Sequence, residues 1–463
     1  MKMNPRAALA IVPVALVALA LTSCSADAGA DAGATDGPVT ITVMGIPATT
    51  KPEARQAYLD EITAFEKENP DITVTPTDEK WNAQSYVTEL AGGTAPTLLW
   101  VPLTDPPGLI ARKQVADITA DVEALPEAGS LNQKVLDPLR GDEGQLYGLP
   151  TAEYALGLAY NRDLFTAAGL DPDQPPTTWD EVRTAAKKIT DATGVPGFAE
   201  MTTNNAGGWH LTAGTYSHGG TMEVLGDDGT YTADVANDQA AAYLDTLKAM
   251  RWEDDSMGTN ALLGYDDINS GFAAGNFGMI ISAPDYYTNY IQQYQGDPTK
   301  FGMAAYPQAG GGTTLAGGSV AMVNAKATPA EKAAAIKWAA YHWLRPQYDP
   351  EAAATVAESN AAAGIPVGIP TIPLFDQETQ DKVHAAIEPF ITIDSANFEP
   401  FVTGTAGLDL EAEPPVAAQL VYGSLDPVMQ AVLTREDADP MAELEKAQPT
   451  AEQAVKQAQQ GQG

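Results

Sequence analysis

Short segments with the pattern of a β-strand alternate along this chain with longer segments that have the pattern of an amphipathic helix. Residues 39–44 alternate apolar and polar side chains, which predicts a strand. Residues 52–69 place apolar side chains on one helical face, and strand patterns follow at 72–74 and 97–101, with a helix predicted over 85–91 between them. This order is typical of a layered α/β domain with a largely parallel sheet, because parallel neighbours need a crossover connection.

The alternation continues to the end of the chain. Thr178 is suited to cap a helix over 180–190, with Glu181 completing a capping box. The sequence Asp-Asp-Gly at 227–229 predicts a hairpin turn. Further strands are predicted at 156–160, 278–282 and 320–323, and further helices from Pro329 and from Ala438 onward. About 425 residues follow the N-terminal region, more than one core usually covers, so two lobes are expected.

The N-terminal region contains Cys24, the only cysteine in the chain. Lys2 and Arg6 precede an apolar run over 7–21, which is too short to span a bilayer and predicts a signal peptide over 1–23. The Leu-Thr-Ser-Cys sequence that ends at Cys24 resembles the lipobox of bacterial lipoproteins, in which cleavage exposes the cysteine for acylation. An ordinary secretory signal that happens to contain a cysteine is the alternative.

Residues 24–38 contain no large apolar side chain beyond the cysteine, which predicts a flexible tether between a lipidated terminus and the folded body. We therefore expect the protein to lie at the outer face of the cytoplasmic membrane in a bacterial cell envelope, anchored through Cys24. One acyl chain holds a protein only marginally, so stable anchorage needs the several chains that lipoprotein acylation supplies.

The charge balance and the absence of catalytic motifs exclude several classes of function. The chain has 25 basic and 61 acidic residues, and a net charge of −36 repels nucleic acid phosphates and anionic headgroups. The four histidines show no metal-ligand spacing, so we expect no metal and no cofactor. Without a Gly-x-Ser-x-Gly elbow, a His-Glu-x-x-His motif or a P-loop, an enzyme is disfavoured. An adhesion or structural lipoprotein would show repeats or all-β patterning.

Three segments carry a resemblance to a known family. The first runs from Tyr-Gly-Leu-Pro at 147–150 through Tyr-Asn-Arg-Asp-Leu-Phe at 160–165 to Pro-Thr-Thr-Trp-Asp-Glu at 176–181. The second is Phe-Ala-Ala-Gly-Asn-Phe-Gly-Met at 272–279, and the third is the glycine pair at 317–318, before a strand and an Ala-rich helix. In this order they resemble the extracellular solute-binding proteins of ABC importers, the carbohydrate group that includes maltose-binding protein.

The resemblance implies a two-lobed, periplasmic-binding-protein-like α/β fold with a ligand cleft between the lobes and several crossing segments. The N-terminal lobe would contain residues 39–152 and 316–368, and the C-terminal lobe residues 153–315 and 369–463. Such lobes close about a hinge when ligand binds. The closed form is what the ABC permease subunits recognise, so the resemblance implies a receptor that acts as a monomer and is not an enzyme.

A sugar site combines aromatic rings that stack on the sugar with polar groups that bind its hydroxyls. Where the family's binding loops fall, ten residues are expected to bind ligand: Trp81, Asp105, Glu153, Tyr154, Trp209, Asp285, Tyr286, Tyr287, Gly317 and Gly318. Asp105 follows a predicted strand at its carboxyl end, where ligands of open α/β sheets bind. Trp81 has an alternative role as a core anchor, and the glycine pair would either allow close approach of ligand or simply form a turn.

Two of these positions depart from the family pattern. Tyr154 occupies the position at which maltose-binding protein carries a sugar-binding carboxylate, and Glu153 lies one residue earlier. Asp285 fills a position at which relatives commonly place a tryptophan, so Tyr286 or Tyr287 would stack instead. Trp209, in a polar glycine-rich loop, occupies a position at which the family often places a stacking aromatic residue.

The expected ligand is a neutral sugar, an oligosaccharide, because the proposed loops are rich in aromatic and acidic residues and lack the arginine cluster that an anion would need. The alternative is a non-sugar solute such as a polyamine or a glycerol phosphate, which related subfamilies bind. For a cationic ligand, Asp105, Glu153 and Asp285 would supply the opposite charge beside aromatic walls.

Overall fold

The computed structural model describes residues 37–49, 52–226 and 228–460. Its strands are β1 Val39–Val43, β2 Ile72–Pro76, β3 Leu98–Pro102, β4 Gly148–Ala155, β5 Gly157–Asn161, β6 Glu223–Leu225, β7 Tyr231–Ala233, β8 Met279–Ser282, β9 Phe301–Ala305, β10 Thr313–Val323 and β11 Asp409–Ala412. Cys24 and the predicted signal peptide lie outside the described residues. Within the described ranges, none of the helices is both long and apolar enough to cross a membrane.

Helices connect most of these strands. They are α1 Pro52–Glu68, α2 Ala83–Gly92, α3 Pro106–Ala111, α4 Thr119–Glu123, α5 Gln133–Leu136, α6 Arg162–Ala167, α7 Trp179–Thr193, α8 Ala206–Ser217, α9 Asp238–Trp252, α10 Tyr265–Ala273, α11 Tyr286–Gln292, α12 Pro329–Ala339, α13 Arg345–Tyr348, α14 Pro350–Ala362, α15 Gln377–Ile387, α16 Glu399–Thr405, α17 Ala418–Thr434 and α18 Pro440–Gln460. A π-helical turn over Ala340–Leu344 joins α12 to α13.

The larger sheet has the strand order β11-β10-β3-β1-β2, and β4 also pairs with β10. β1 runs parallel to β2 and β3, as the alternation of strands and helices predicted. β10 runs antiparallel to both β3 and β4. The smaller sheet, β8-β5-β9, is antiparallel throughout.

Local signals in the sequence correspond closely to element ends. The predicted capping box is confirmed, because the Thr178 side chain accepts from the Glu181 backbone N–H and the Glu181 side chain bonds back to the cap. The predicted hairpin is also present as the antiparallel pair β6 and β7, although Asp227 in its turn lies outside the described residues. α7 ends at Thr193 and is capped by Gly194, which has the left-handed conformation that glycine adopts without strain.

Buried apolar residues form three clusters. The first combines residues 41–149 with 320–344 and includes Trp338, which is fully buried. The second and third lie in the other lobe and combine residues 155–315 with 393–455. Leu374 and Phe375 pack in the first cluster, beyond residue 368, where the resemblance placed the end of the N-terminal lobe.

β4 and β10 are the long strands that cross from one lobe to the other. They pair antiparallel along most of their length, with Tyr154 opposite Gly317 and Glu153 opposite Gly318, and the register shifts between Ser319 and Val320. The polypeptide therefore passes between the lobes as a hydrogen-bonded pair of strands. The candidate functional site lies beside this crossing.

Candidate functional site

The two glycines of the crossing allow a close approach that any side chain would prevent. A Cβ atom at Gly317 would lie 2.4 Å from the hydroxyl oxygen of Tyr154, and one at Gly318 would lie 2.2 Å from the carbonyl oxygen of Ala152. The glycine pair therefore lies within a strand pair and not in a turn. Because these two residues have no side chains, the Tyr154 ring can lie over β10.

Asp105 and Trp81 form the first-lobe side of the site. Asp105 directly precedes α3, just past the carboxyl end of β3, and its Oδ2 accepts a hydrogen bond from the indole N–H of Trp81 at 2.6 Å. Burial raises the pKa of Asp105, while Trp81 and then Arg112 favour the ionised form and offset part of that rise. Trp81 also packs on Tyr86, so it is both a core anchor and a partner of Asp105.

Trp209 forms part of the second-lobe side and is positioned by the start of α8. Asn204 and Asn205 both adopt positive φ, at 60° and 68°. The buried carboxylate of Asp426 on α17 accepts from the Asn205 N–H at 2.7 Å and from the Gly208 N–H at 3.0 Å. These bonds satisfy N–H groups that the first turn of a helix leaves free, so Asp426 fixes the backbone that carries Trp209.

Glu413, one residue after β11, connects the two sides of the site. Its pKa is raised to about 7, mainly by burial and further by the Asp105 carboxylate, while the indole N–H of Trp209 offsets part of the rise. The Trp209 N–H makes no hydrogen bond of normal length and angle and is buried. The Glu413 carboxyl is thus influenced by the charge of Asp105 and by the indole of Trp209.

Tyr154 extends the group toward α10 and α11. Burial raises the pKa of its phenol, and the carboxylates of Glu413 and Asp285 and the phenol of Tyr265 add to the rise. The Asp285 side chain is exposed, yet its pKa is raised because protein surrounds it on several sides. Exposure combined with desolvation is expected for a group on the wall of a cleft. We call Trp81, Asp105, Tyr154, Trp209, Asp285 and Glu413 the interlobe site.

Glu153 neighbours this group but points into the protein. It is only 7% exposed, and burial alone raises its pKa to about 7. Its main-chain oxygen accepts from the Ile372 N–H at 3.3 Å, which ties the crossing strand to the segment before α15. Glu153 is therefore part of the crossing, one residue away from the site tyrosine.

The structure places Tyr286 and Tyr287 in the core of the second lobe. The Tyr286 hydroxyl donates to the Asn269 carbonyl at 2.6 Å, and the Tyr287 ring packs on Phe301 and Phe398. Their side chains belong to the third apolar cluster, so the aromatic partner that we expected beside Asp285 comes from elsewhere. Tyr265 takes that place, since it lies beside Asp285 and is 46% exposed.

Sequence reasoning missed Glu413, Tyr265 and Trp100. Glu413 precedes a Pro-Pro pair in an acidic chain, so nothing in the sequence distinguishes it from the other carboxylates. Trp100, which is 40% exposed on β3, stacks on Trp343 at a ring-centroid distance of 6.2 Å. Its indole N–H donates to the Thr151 hydroxyl at 3.1 Å. Trp100 follows Leu98 and Leu99 in an apolar strand, so nothing in the sequence indicates that its side chain is exposed.

Comparisons with known proteins agree with this architecture. Residues 47–341 match the family described as bacterial extracellular solute-binding protein. A putative binding protein of Brucella abortus is 31% identical over 303 residues, which cover 62% of this chain and 66% of the relative, just under two thirds of its length. The sn-glycerol-3-phosphate-binding periplasmic protein of Pectobacterium atrosepticum is 28% identical over 181 residues, covering 35% of this chain and 40% of that protein.

Among solved structures, the cyclic α-maltosyl-1,6-maltose binding protein of Arthrobacter globiformis superposes with a TM-score of 0.66. The superposition covers 91% of this chain and all of that chain, at 22% sequence identity. At this level of identity the similarity establishes the two-lobed fold.

Proposed function

Because the chain belongs to the bacterial extracellular solute-binding proteins, we propose that it captures a saccharide between its lobes and delivers it to the permease of an ABC importer. Proteins of this family bind small solutes for transport. The β4–β10 crossing would act as the hinge about which the lobes close on ligand. The ligand is an oligosaccharide in this proposal.

One observation supports the proposal: each lobe presents a carboxylate beside an indole ring, and the two carboxylates act on each other electrostatically. Asp105 with Trp81 comes from the first lobe, and Glu413 with Trp209 comes from the second. A saccharide needs apolar platforms for its ring faces and strong acceptors for its hydroxyl donors. Carboxylates bind such donors more strongly than neutral acceptors do, and a closed site strengthens these bonds further.

We also propose that Cys24 is lipidated after removal of residues 1–23, and that residues 24–38 tether the folded body to the outer face of the cytoplasmic membrane. A tether raises the effective concentration of the receptor near its permease. The Cys24→Ser variant should then appear in the soluble fraction of cells, while the parent protein stays in the membrane fraction. Equal partition of both proteins to the soluble fraction would contradict the lipid anchor.

The experiment for the binding function is a thermal-shift screen of mono- and oligosaccharides against residues 25–463, followed by titration calorimetry. A saccharide present at 100 times its Kd should stabilise the protein by about 2.7 kcal/mol. Trp209→Ala should weaken binding more than tenfold. Trp252→Ala is the matched control, since Trp252 is also half-buried in the second lobe, where its indole bonds to the Val432 carbonyl far from the interlobe site. Equal affinity of both variants would remove Trp209 from the site.

The alternative ligand is a glycerol phosphate, which the Pectobacterium relative binds by its description. The charge of the interlobe site disfavours that ligand, because a phosphate is normally bound by arginine, lysine or backbone N–H groups. Stabilisation by glycerol 3-phosphate with no response to any saccharide would select this alternative and reject the saccharide.

A further inference from the structure

Helix α8 presents a single residue of its length to the outside. Of residues 207–217, only Trp209 is partly exposed, and the other ten are buried. Glycine lets this helix pack closely on α17, because a Cβ atom at Gly208 would lie 2.3 Å from the carbonyl oxygen of Tyr422. The backbone of α8 is therefore fixed by its neighbours, and the orientation of the Trp209 ring is what remains to be set.

A buried histidine follows Trp209 and packs against it. The centroids of the His210 and Trp209 rings are 5.0 Å apart, and the rings are inclined at 46°. His210 is 1% exposed. Its Nδ1 is hydrogen-bonded to Oε1 of Glu200, whereas its Nε2 is buried and has no partner among the described residues. The bond at Nδ1 thus sets the orientation of the His210 ring.

Two further donors hold the Glu200 carboxylate in place. Its Oε1 accepts from the Met201 N–H at 2.8 Å, and its Oε2 accepts from the Tyr243 hydroxyl at 2.7 Å. Glu200 is only 2% exposed, so water does not compete for these bonds. A buried carboxylate is stable only when its oxygens are hydrogen-bonded, and these bonds restrict its position. Glu200 therefore forms a rigid support for the His210 ring.

We propose that His210, held by Glu200, is a positioning residue that fixes the Trp209 ring for saccharide binding. This proposal rests on the proposed saccharide function. A stacking contact depends on the orientation of the ring, and a ring that must be ordered on binding costs affinity. With the His210 ring packed against it, the Trp209 ring is ordered before ligand binds. Asp426 thus fixes the backbone that carries Trp209, and the Glu200–His210 pair fixes its side chain.

The surroundings of the Trp209 ring can be followed without ligand. Residues 25–463 are labelled with 5-fluorotryptophan, and the fluorine NMR spectrum should contain one signal for each of the seven tryptophans. Trp209→Phe identifies the Trp209 signal by its loss. His210→Asn keeps an N–H donor for Glu200 but removes the ring, so the Trp209 signal should shift by more than its linewidth. Circular dichroism checks that each variant is folded under the conditions of the spectrum.

Binding is measured by calorimetry with maltotriose and cellotriose, an α-linked and a β-linked saccharide. His210→Asn should weaken binding at least fivefold for the one that the parent protein binds more tightly. Glu200→Gln should also weaken binding, and the double variant should bind no more weakly than His210→Asn, because both residues act through one ring. His218→Asn is the matched control, since His218 directly follows α8 and its Nδ1 bonds to the Gly214 carbonyl at 2.7 Å. This variant should leave the Trp209 signal in place and the affinity within twofold.

The outcomes separate the two proposals. A Trp209 signal that does not move in His210→Asn would overturn the positioning role, and so would a shifted signal with unchanged affinity. Additive losses in the double variant would also overturn it, because Glu200 would then act by another route. If the signal shifts as expected but the parent protein binds no saccharide, the saccharide function fails while the coupling of His210 to the Trp209 ring stands.

Discussion

Replacing Glu153 by glutamine removes a buried carboxylate from the crossing strand and should change how stability depends on pH. Burial raises the pKa of Glu153 from 4.5 to about 7. The folded state therefore holds a proton that the unfolded state has lost between these values, and the free energy of unfolding falls as pH rises through this window. A shift of this size corresponds to about 3 kcal/mol. The glutamine side chain cannot ionise, so the variant avoids this loss.

The assay is thermal unfolding of parent and variant at pH 4 and pH 8, followed by circular dichroism. Between pH 4 and pH 8, the parent should lose about 3 kcal/mol of unfolding free energy through Glu153, and the variant should not. The variant should therefore gain about 3 kcal/mol relative to the parent over this range. For roughly 425 residues, the unfolding entropy makes this a shift of about 3 °C in Tm. Any cost of burying the glutamine amide applies at both pH values and cancels in the comparison.

Glu445→Gln is the control, because Glu445 is an exposed glutamate on α18. Its difference from the parent should be the same at pH 4 and pH 8. If Glu153→Gln also shows no change with pH, the Glu153 carboxylate is not desolvated in the folded protein. The account of the crossing as a dry, closely packed strand pair would then be wrong.

Three further changes test the support of the site. Asp426→Ala removes the acceptor for two N–H groups before and within α8, which should cost about 1–2 kcal/mol of stability in denaturant titrations and weaken saccharide binding. Trp81→Phe keeps the packing but removes the donor to Asp105, so affinity measured by calorimetry should fall severalfold. Gly317→Ala places a Cβ atom against the Tyr154 hydroxyl and should weaken saccharide binding more than tenfold. Unchanged affinity would show that binding does not depend on the position of the Tyr154 ring.

The sequence predicted most of the secondary structure because local signals and tertiary packing agree in this chain. The strands at 39–44, 72–74 and 97–101 correspond to β1, β2 and β3 within a residue or two, and the capping box at Thr178 is present. Trp179 directly follows the predicted cap at Thr178 and is fully buried. The family was also predicted correctly, from the order of three short motifs.

The composition of the site was less accessible to prediction. Asp105 and Trp81 were selected separately, and no sequence pattern indicated that they bond to each other. Glu413 is distant in sequence from the other site residues, and only folding brings it to Asp105. Tyr287 was expected beside ligand, but its ring packs on Phe301 and Phe398. Burying this large apolar ring stabilises the fold more than leaving it exposed on the cleft wall.

The central claim is that a saccharide binds between Asp105 and Glu413 beside Trp209. A crystal structure of residues 25–463 with the tightest-binding saccharide from the screen tests it most directly. The account predicts that the sugar lies beside the β4–β10 crossing, with its ring against Trp209 and its polar groups bonded to the two carboxylates. A saccharide bound elsewhere on the protein, with no contact to Asp105 or Glu413, would contradict it.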